Sequence, residues 1–243
     1  MTSLKKAVTH VLTAQKKSKK PLAIVLAGHN GSGKSTMWYS HLADQLQIPL
    51  INADRMMLSI LPEVDAGRSL PSWASNLRDK NDSWMGVAQR GVQAFVAQAM
   101  AKQVPFAMET VFSHWVDLGN GQYESKIDQI KQMQAEGYYV ILFFVGLTSS
   151  QLSIARVNTR VSAGGHDVAI NKLTERFPRT QKAISMAAKV ADAAILVDNS
   201  QEPSKAFSVC RIQMLDQEVY DVRNEPSNAP LAVLKWINVV SPR

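Results

Sequence analysis

The stretch LAIVLAGHNGSGKST, running from Leu22 to Thr36, decides how this chain folds. Leu22–Ala27 is a short apolar run closed by a glycine, which reads as a buried parallel strand. The next eight residues, Gly28-His29-Asn30-Gly31-Ser32-Gly33-Lys34-Ser35, match the pattern G-x-x-x-x-G-K-[ST]. Glycines let the backbone curl so that successive N–H groups point at phosphate oxygens. A helix should begin near Gly33 and run to about Leu46, and its N-terminus adds positive potential of roughly 0.3–1 kcal/mol per contact. The residues expected around the phosphates of a bound ATP are Gly28, Asn30, Gly31, Ser32, Gly33, Lys34, Ser35 and Thr36. Lys34 is expected to reach the β- and γ-phosphates and Ser35 to ligate Mg²⁺. His29 reads as a tolerated side chain that points outward.

Outward from this stretch, strands alternate with helices. Pro49–Asn52, Pro105–Met108, Tyr138–Val145 and Ala193–Val197 read as further strands. Asn81–Gln103, Tyr123–Glu136, Ser149–Ser162, Ile170–Val190 and Pro230–Val239 read as helices, with Gly137 stopping the second and Gly164-Gly165 breaking between the third and fourth. Phe207–Leu215 and Glu218–Val222 read as an antiparallel edge hairpin. The pattern predicts an α/β fold: a P-loop NTPase-like, mainly parallel sheet with helices on both faces, plus a C-terminal antiparallel edge hairpin and helix. A chain of 243 residues fits one such domain. Within it, residues 1–20 form a basic N-terminal helix, 150–190 a helical lid, and 201–243 the hairpin and closing helix. Ligands of such sheets bind beyond the carboxyl ends of the strands.

The net charge is +7, and Lys5, Lys6, Lys16, Lys17, Lys19 and Lys20 precede the first strand with no acid among them. Leu4, Ala7, Val8, Val11 and Leu12 follow helical spacing there, so the lysines read as the solvated face of an amphipathic helix. No basic motif interleaved with aromatics supports a nucleic-acid partner. No apolar run approaches about 18 residues, so no membrane span is expected. One cysteine, Cys210, makes no internal disulfide and fits a reducing, cytoplasmic setting.

Two classes of nucleotide-binding protein are disfavoured by missing motifs. A guanine-specific N-K-x-D is approached only by Asn171-Lys172-Leu173-Thr174, which lacks the aspartate. A motor-type apolar strand ending in Asp-Glu is approached only by Ile195–Asp198, followed by Asn199. Four constellations instead suit a small-molecule kinase. Asp54, in Asn52-Ala53-Asp54-Arg55, could accept a proton from a substrate hydroxyl or cap a helix, and both roles can coexist. Glu109, in the segment METVFS after the third strand, could bond substrate hydroxyls, hold Mg²⁺ through water, or serve as a structural carboxylate. Arg156, Arg160, Arg176 and Arg179 flank Gly164-Gly165-His166-Asp167, as a mobile lid would. Such arginines either form a solvated face or stabilise a transferring phosphoryl group, which is worth about 10³–10⁵ in rate. His166 reads as a hinge or a substrate contact, since no second His or Cys is spaced near it. Asn199, in Asp198-Asn199-Ser200, reads as a contact to adenine or to the phosphate loop, or as a plain turn.

In this order the segments AGHNGSGKST, INAD, METVFS, RVNTRVSAGGHDV, ERFPRT and VDNS resemble the zeta toxin family of P-loop kinases, in its GGH-containing branch, over about residues 22–200. The resemblance implies ATP-dependent phosphorylation of UDP-N-acetylglucosamine on the sugar's 3′-hydroxyl, and an antitoxin protein that blocks the ATP site. It implies that Lys34 and Ser35 bind phosphates and Mg²⁺, that Asp54 is the base, and that Glu109 and Thr110 contact the sugar nucleotide. It further implies that Arg160 and Arg176 act on the γ-phosphate; Arg156 and His166 are read, from their place at the lid, as substrate contacts. His29 stands where the family more often has proline, METVFS replaces the commoner ETT pattern, and Ala169 replaces a proline. These departures touch the acceptor side more than the ATP side. The alternative reading is an ATP-binding or ATP-hydrolysing protein, or a kinase of another nucleotide, without toxin activity.

Overall fold

The structure, a computed structural model, describes residues 3–65, 68–163, 165, 168–215, 217–226 and 229–243. The chain opens with α1 (Leu4–Ser18), whose first turn is capped by Ser3 Oγ accepting from the Lys6 amide at 3.3 Å. It buries Ala7, Val8 and Val11 and leaves its lysines in water. Strand β1 (Leu22–Gly28) follows, then α2 (Lys34–Met37), which passes through a π-helical turn (Trp38–Leu42) into α3 (Ala43–Leu46). Next come β2 (Leu50–Ile51), α4 (Ala53–Ser59), α5 (Ser72–Lys80) and α6 (Asp82–Ala101). Strand β3 (Phe106–Thr110) leads into a small hairpin of β4 (Trp115–Gly119) and β5 (Gln122–Ser125), then α7 (Ile127–Ala135). The rest alternates: β6 (Tyr139–Gly146), α8 (Ser150–Ser162), α9 (Ile170–Val190), β7 (Ala193–Asp198), β8 (Ser208–Met214), β9 (Gln217–Asp221) and α10 (Leu231–Val240).

The main sheet runs β2-β3-β1-β6-β7-β8-β9. Strands β2, β3, β1, β6 and β7 are parallel, and β8 and β9 add antiparallel at one edge. Ile24 of β1 sits in register with Ala107 on one side and Ile141 on the other. The period of two divides β1 between two cores. Leu22, Ile24 and Leu26 pack with α1 and the Met37–Leu42 turn, while Ala23, Val25 and Ala27 pack with α6, α7, α9 and α10. Helices thus cover both faces, which is why β1 and β6 are apolar at every position.

Two readings of the sequence need correction. The segment expected to be helical over Tyr123–Glu136 starts as strand β5, and the helix begins only at Ile127. The cause is the two-residue turn Asn120-Gly121, at φ 52° and 77°, which pairs Gly119 with Gln122. An Asn-Gly pair in that conformation twists in the sense that two adjoining strands need. Strand β3 also extends through Thr110, so Glu109 and Thr110 lie on the strand and not beyond it.

The edge hairpin is tied to the closing helix by Asp221, which is fully buried. Its carboxylate accepts from Arg211 Nη1 at 2.9 Å and from Arg223 Nε and Nη2 at 2.9 and 2.5 Å. Arg223 also donates to Asn238 Oδ1 and to the Ser241 carbonyl, at 2.8 and 3.1 Å. Burial would raise the Asp221 pKa, but bonding to Arg223 and the charge of Arg211 outweigh it and hold it below the usual range. Asp221→Asn removes the one carboxylate that both guanidiniums share. The expected cost is about 3 kcal/mol, read as a lowered urea midpoint, and an unchanged midpoint would refute the network's role.

Candidate active site

The phosphate loop curls between β1 and α2, with Gly31 and Gly33 at φ +70° and +87°. At Gly33 a Cβ would be strained and would also lie 2.8 Å from Asn199 Nδ2. Two distant elements brace the loop. Asn199, following β7, donates its side-chain amide to the Ser32 carbonyl at 2.8 Å and its backbone N–H to the Gly146 carbonyl at 3.1 Å. Ser153 Oγ of α8 donates to the Asn30 carbonyl at 2.7 Å, and Arg156 lies against Gly31, whose Cβ would come 3.1 Å from Arg156 Cβ. The Asn199 side chain therefore rests on the loop itself. Ser32 Oγ is buried in the loop and has no hydrogen-bond partner among the described residues. Ser35 and Thr36 are exposed at the start of α2.

Lys34 is 8% exposed and folds back over the loop, donating to the carbonyls of Gly28 (3.2 Å) and His29 (3.1 Å). Burial lowers its pKa, Glu109 and Asp54 oppose the shift, and Arg160 adds to it. Glu109 reaches in from β3: its Oε1 is 3.7 Å from Lys34 Nζ, and its Oε2 accepts from Ser35 Oγ at 3.0 Å and Asn52 Nδ2 at 2.5 Å. Asn52 also caps α4, accepting from the Arg55 amide at 3.1 Å. The cap is therefore Asn52, which leaves the carboxylate of Asp54 in the first turn, exposed, for other work. Strand alternation sends Thr110 to the opposite face from Glu109. There Thr110 Oγ1 accepts from Lys126 Nζ at 2.7 Å and from the Phe112 amide at 3.2 Å. Burial lowers the pKa of Lys126.

A cavity of about 310 Å³ is lined by Asp54, Met57, Leu58, Arg78, Met85 and Arg160, among others. Arg160 comes from the end of α8, where its carbonyl accepts from the Gly165 amide at 2.9 Å. Asp54 and Arg160 both act on Lys34 electrostatically. The structure thus groups Lys34, Ser35, Asn52 and Glu109 at the loop, with Asp54 and Arg160 on the cavity wall. Arg176, half-buried on α9, does not line that cavity, and Arg179 is exposed and pairs with Glu175 of its own helix at 3.4 Å. His166, Gly164 and Asp167 fall outside the described residues.

His29 does not point outward. It is 2% exposed, stacks on Phe177 of α9 with centroids 3.9 Å apart and planes 13° apart, and meets Phe144 edge-on at 5.5 Å. Its Nε2 has no hydrogen-bond partner. Burial, and then the charge of Lys34, push its pKa down to about 3, so the ring is neutral near pH 7. Sequence reasoning also passed over Ser153, Arg78, Lys126 and Phe177. Of these only Phe177 carried a signal, an aromatic on the apolar spacing of a long helix.

Ser35 Oγ and the Glu109 carboxylate, 3.0 Å apart, are hard oxygen donors of the kind that hold Mg²⁺ beside phosphate oxygens. Among the described residues no three His, Cys, Asp or Glu side chains cluster as a metal cage, and no helix is long and apolar enough to cross a membrane.

A family model described as Zeta toxin matches residues 7–208. A protein of Haemophilus influenzae described only as uncharacterized is 30% identical over 161 residues, covering 64% of this chain and 91% of that protein. A structure from the PezAT chromosomal toxin-antitoxin system of Streptococcus pneumoniae superposes with TM-score 0.53 at 13% identity, covering 99% of this chain and 89% of that one. The AvrRxo1-ORF1:AvrRxo1-ORF2 structure with ATP superposes with TM-score 0.58 at 14% identity, covering 99% and 70%. At these identities the two structures speak to the fold.

Proposed function

This chain belongs to the zeta toxin family, and on that premise we propose that it is an ATP-dependent kinase that phosphorylates a hydroxyl of a nucleotide sugar, a UDP-N-acetylhexosamine in the first instance. The observation that carries the reading is the electrostatic link between loop and cavity. Asp54 and Arg160 line the cavity, and both act on Lys34. A bare nucleotide switch has no need of a carboxylate there.

In the reaction, Lys34 leaves the Gly28 and His29 carbonyls for the β- and γ-phosphates. The acceptor hydroxyl enters the cavity and gives its proton to Asp54 as its oxygen bonds to the γ-phosphorus. The bond from that phosphorus to the bridging oxygen breaks, and ADP leaves. Arg160 balances charge on the moving phosphoryl group. Ser35 and Glu109, with Asn52 fixing the glutamate, would hold Mg²⁺, which when bound neutralises phosphate charge. Arg176, one residue before the Phe177 that stacks on His29, would join Arg160 at the γ-phosphate. An antitoxin partner belongs to the same proposal, and one structure of similar fold comes from a toxin-antitoxin system.

The test is incubation with ATP, Mg²⁺ and UDP-N-acetylglucosamine beside a panel of other nucleotides and sugar nucleotides, followed by mass spectrometry. A UDP-sugar heavier by one phosphoryl group is expected. Another phosphorylated species would keep the kinase and change its acceptor, and ADP with no phosphorylated product would overturn the reading in favour of an ATPase.

A further inference from the structure

We propose that Arg78 is an acceptor-recognition residue that binds a phosphate group of the acceptor while the acceptor's hydroxyl lies at Asp54. The inference rests on the kinase reading of the cavity. Arg78 comes from α5, a different element from those carrying the base and Arg160, and its side chain is 17% exposed. It lines the same cavity as Asp54 and Arg160.

Arg78 is held in place from behind. Its Nε and Nη2 donate to the two oxygens of Asp79, each at 2.8 Å. A guanidinium has two edges able to bind a carboxylate or phosphate in fork fashion, and Asp79 takes the Nε/Nη2 edge. Nη1 of Arg78 makes no hydrogen bond among the described residues, and Arg78 lines the cavity. A guanidinium already fixed by a carboxylate loses little freedom when it meets a ligand, so its affinity is expressed more fully. Arg78 also lies close enough to Asp54 for the two charges to interact.

The wall chemistry points the same way. Arg78, Arg160 and Asp54 are the charged side chains of the lining, with Asp79 paired to Arg78 from outside it, and Met57, Leu58, Met85 and Ala163 supply apolar wall. Apolar surroundings lower the local dielectric and strengthen each charge contact. A neutral sugar would leave Nη1 of Arg78 unanswered once Arg160 turns to the phosphoryl group. A sugar or ribose bearing phosphate satisfies Asp54 through its hydroxyl and Arg78 through its anion. At about 310 Å³ the cavity holds the hydroxyl-bearing ring and the adjoining phosphate, while a nucleoside would extend outward.

The test is calorimetric binding to the full chain loaded with Mg²⁺ and a non-hydrolysable ATP analogue. The probes are N-acetylglucosamine, N-acetylglucosamine 1-phosphate, UDP-N-acetylglucosamine and, as a carboxylate, N-acetylmuramic acid. The unmutated protein is expected to bind the two phosphorylated probes about tenfold or more above the neutral sugar, on the scale of one charge-assisted bidentate contact. Arg78→Gln should abolish that preference without changing affinity for the neutral sugar or the ATP analogue. Arg78→Lys should recover part of it and guards against misfolding of the first variant. The inference is overturned if Arg78→Gln keeps the preference, if the unmutated protein has none, or if the carboxylate alone is preferred. Because binding is read without turnover, a phosphate preference in a protein that transfers nothing would sink the kinase reading and leave Arg78 standing.

Discussion

Lys34→Met is expected to abolish both ATP binding and phosphoryl transfer, whereas Asp54→Asn is expected to abolish transfer alone. The two residues lie on opposite sides of the reacting phosphorus in the proposed reaction, so their losses should separate. Lys34 is the buried cation of the loop, bonded to the Gly28 and His29 carbonyls and paired with the Glu109 carboxylate. Its release to the phosphates would supply charged hydrogen bonds worth about 1.5–3 kcal/mol each. Methionine keeps the stem and loses the charge. The fold should survive, because Glu109 still accepts from Ser35 and Asn52. Titration calorimetry with ATP should show at least about a hundredfold weaker binding, and transfer should fall by about 10³ or more. Asp54 makes no hydrogen bond to the loop among the described residues, and Asn52 is the residue that caps α4. Asp54→Asn should therefore leave ATP affinity intact and lower transfer by about 10²–10⁴, the range for a lost general base. Loss of ATP binding in the aspartate variant would sink its assignment as the base.

The loop was legible because every part of its chemistry is local: an apolar strand, glycines with positive φ, then a lysine and serine opening a helix. The parallel strands were legible from their apolar residues, and the polar Glu109 and Thr110 hid the true end of β3. What escaped were contacts across the chain. Ser153 to Asn30 spans 123 residues and Asn199 to Ser32 spans 167, and no local pattern reports such a meeting. His29 looked like a polar residue in an exposed loop until Phe144 and Phe177 were brought around it from β6 and α9. Nothing in the local sequence around Arg78 and Asp79 marks a binding residue. The place of Arg78 on the cavity wall follows only from how α4, α5 and α6 pack around Met57, Ala74 and Ala88. The β4–β5 hairpin is a different kind of miss. Asn120-Gly121 is a local turn signal, but Tyr123, Ile127 and Ile130 also fit helical spacing, and that pattern was followed four residues too far toward the N-terminus.

Acid should destabilise the protein through His29, and His29→Phe should remove that sensitivity. The ring titrates at 6.5 in an unfolded chain and at about 3 when folded, because burial first and the charge of Lys34 second oppose its protonation. Between those values the unfolded state binds a proton that the folded state refuses. Stability therefore rises with pH in this window, is complete above about pH 6.5, and is lost progressively as pH falls toward 3. From about pH 7 to about pH 4.5 the loss from this one residue is about 2.5 kcal/mol. His29→Phe keeps a flat ring to stack on Phe177, and it sacrifices no hydrogen bond at Nε2, which has none. Urea unfolding of both proteins at the two pH values isolates the term, since every other titrating group is common to them. The unmutated protein should lose about 2.5 kcal/mol more than the variant over this interval. Equal losses would mean that His29 takes up its proton in the folded state, and that the Phe144–Phe177 slot opens to admit water.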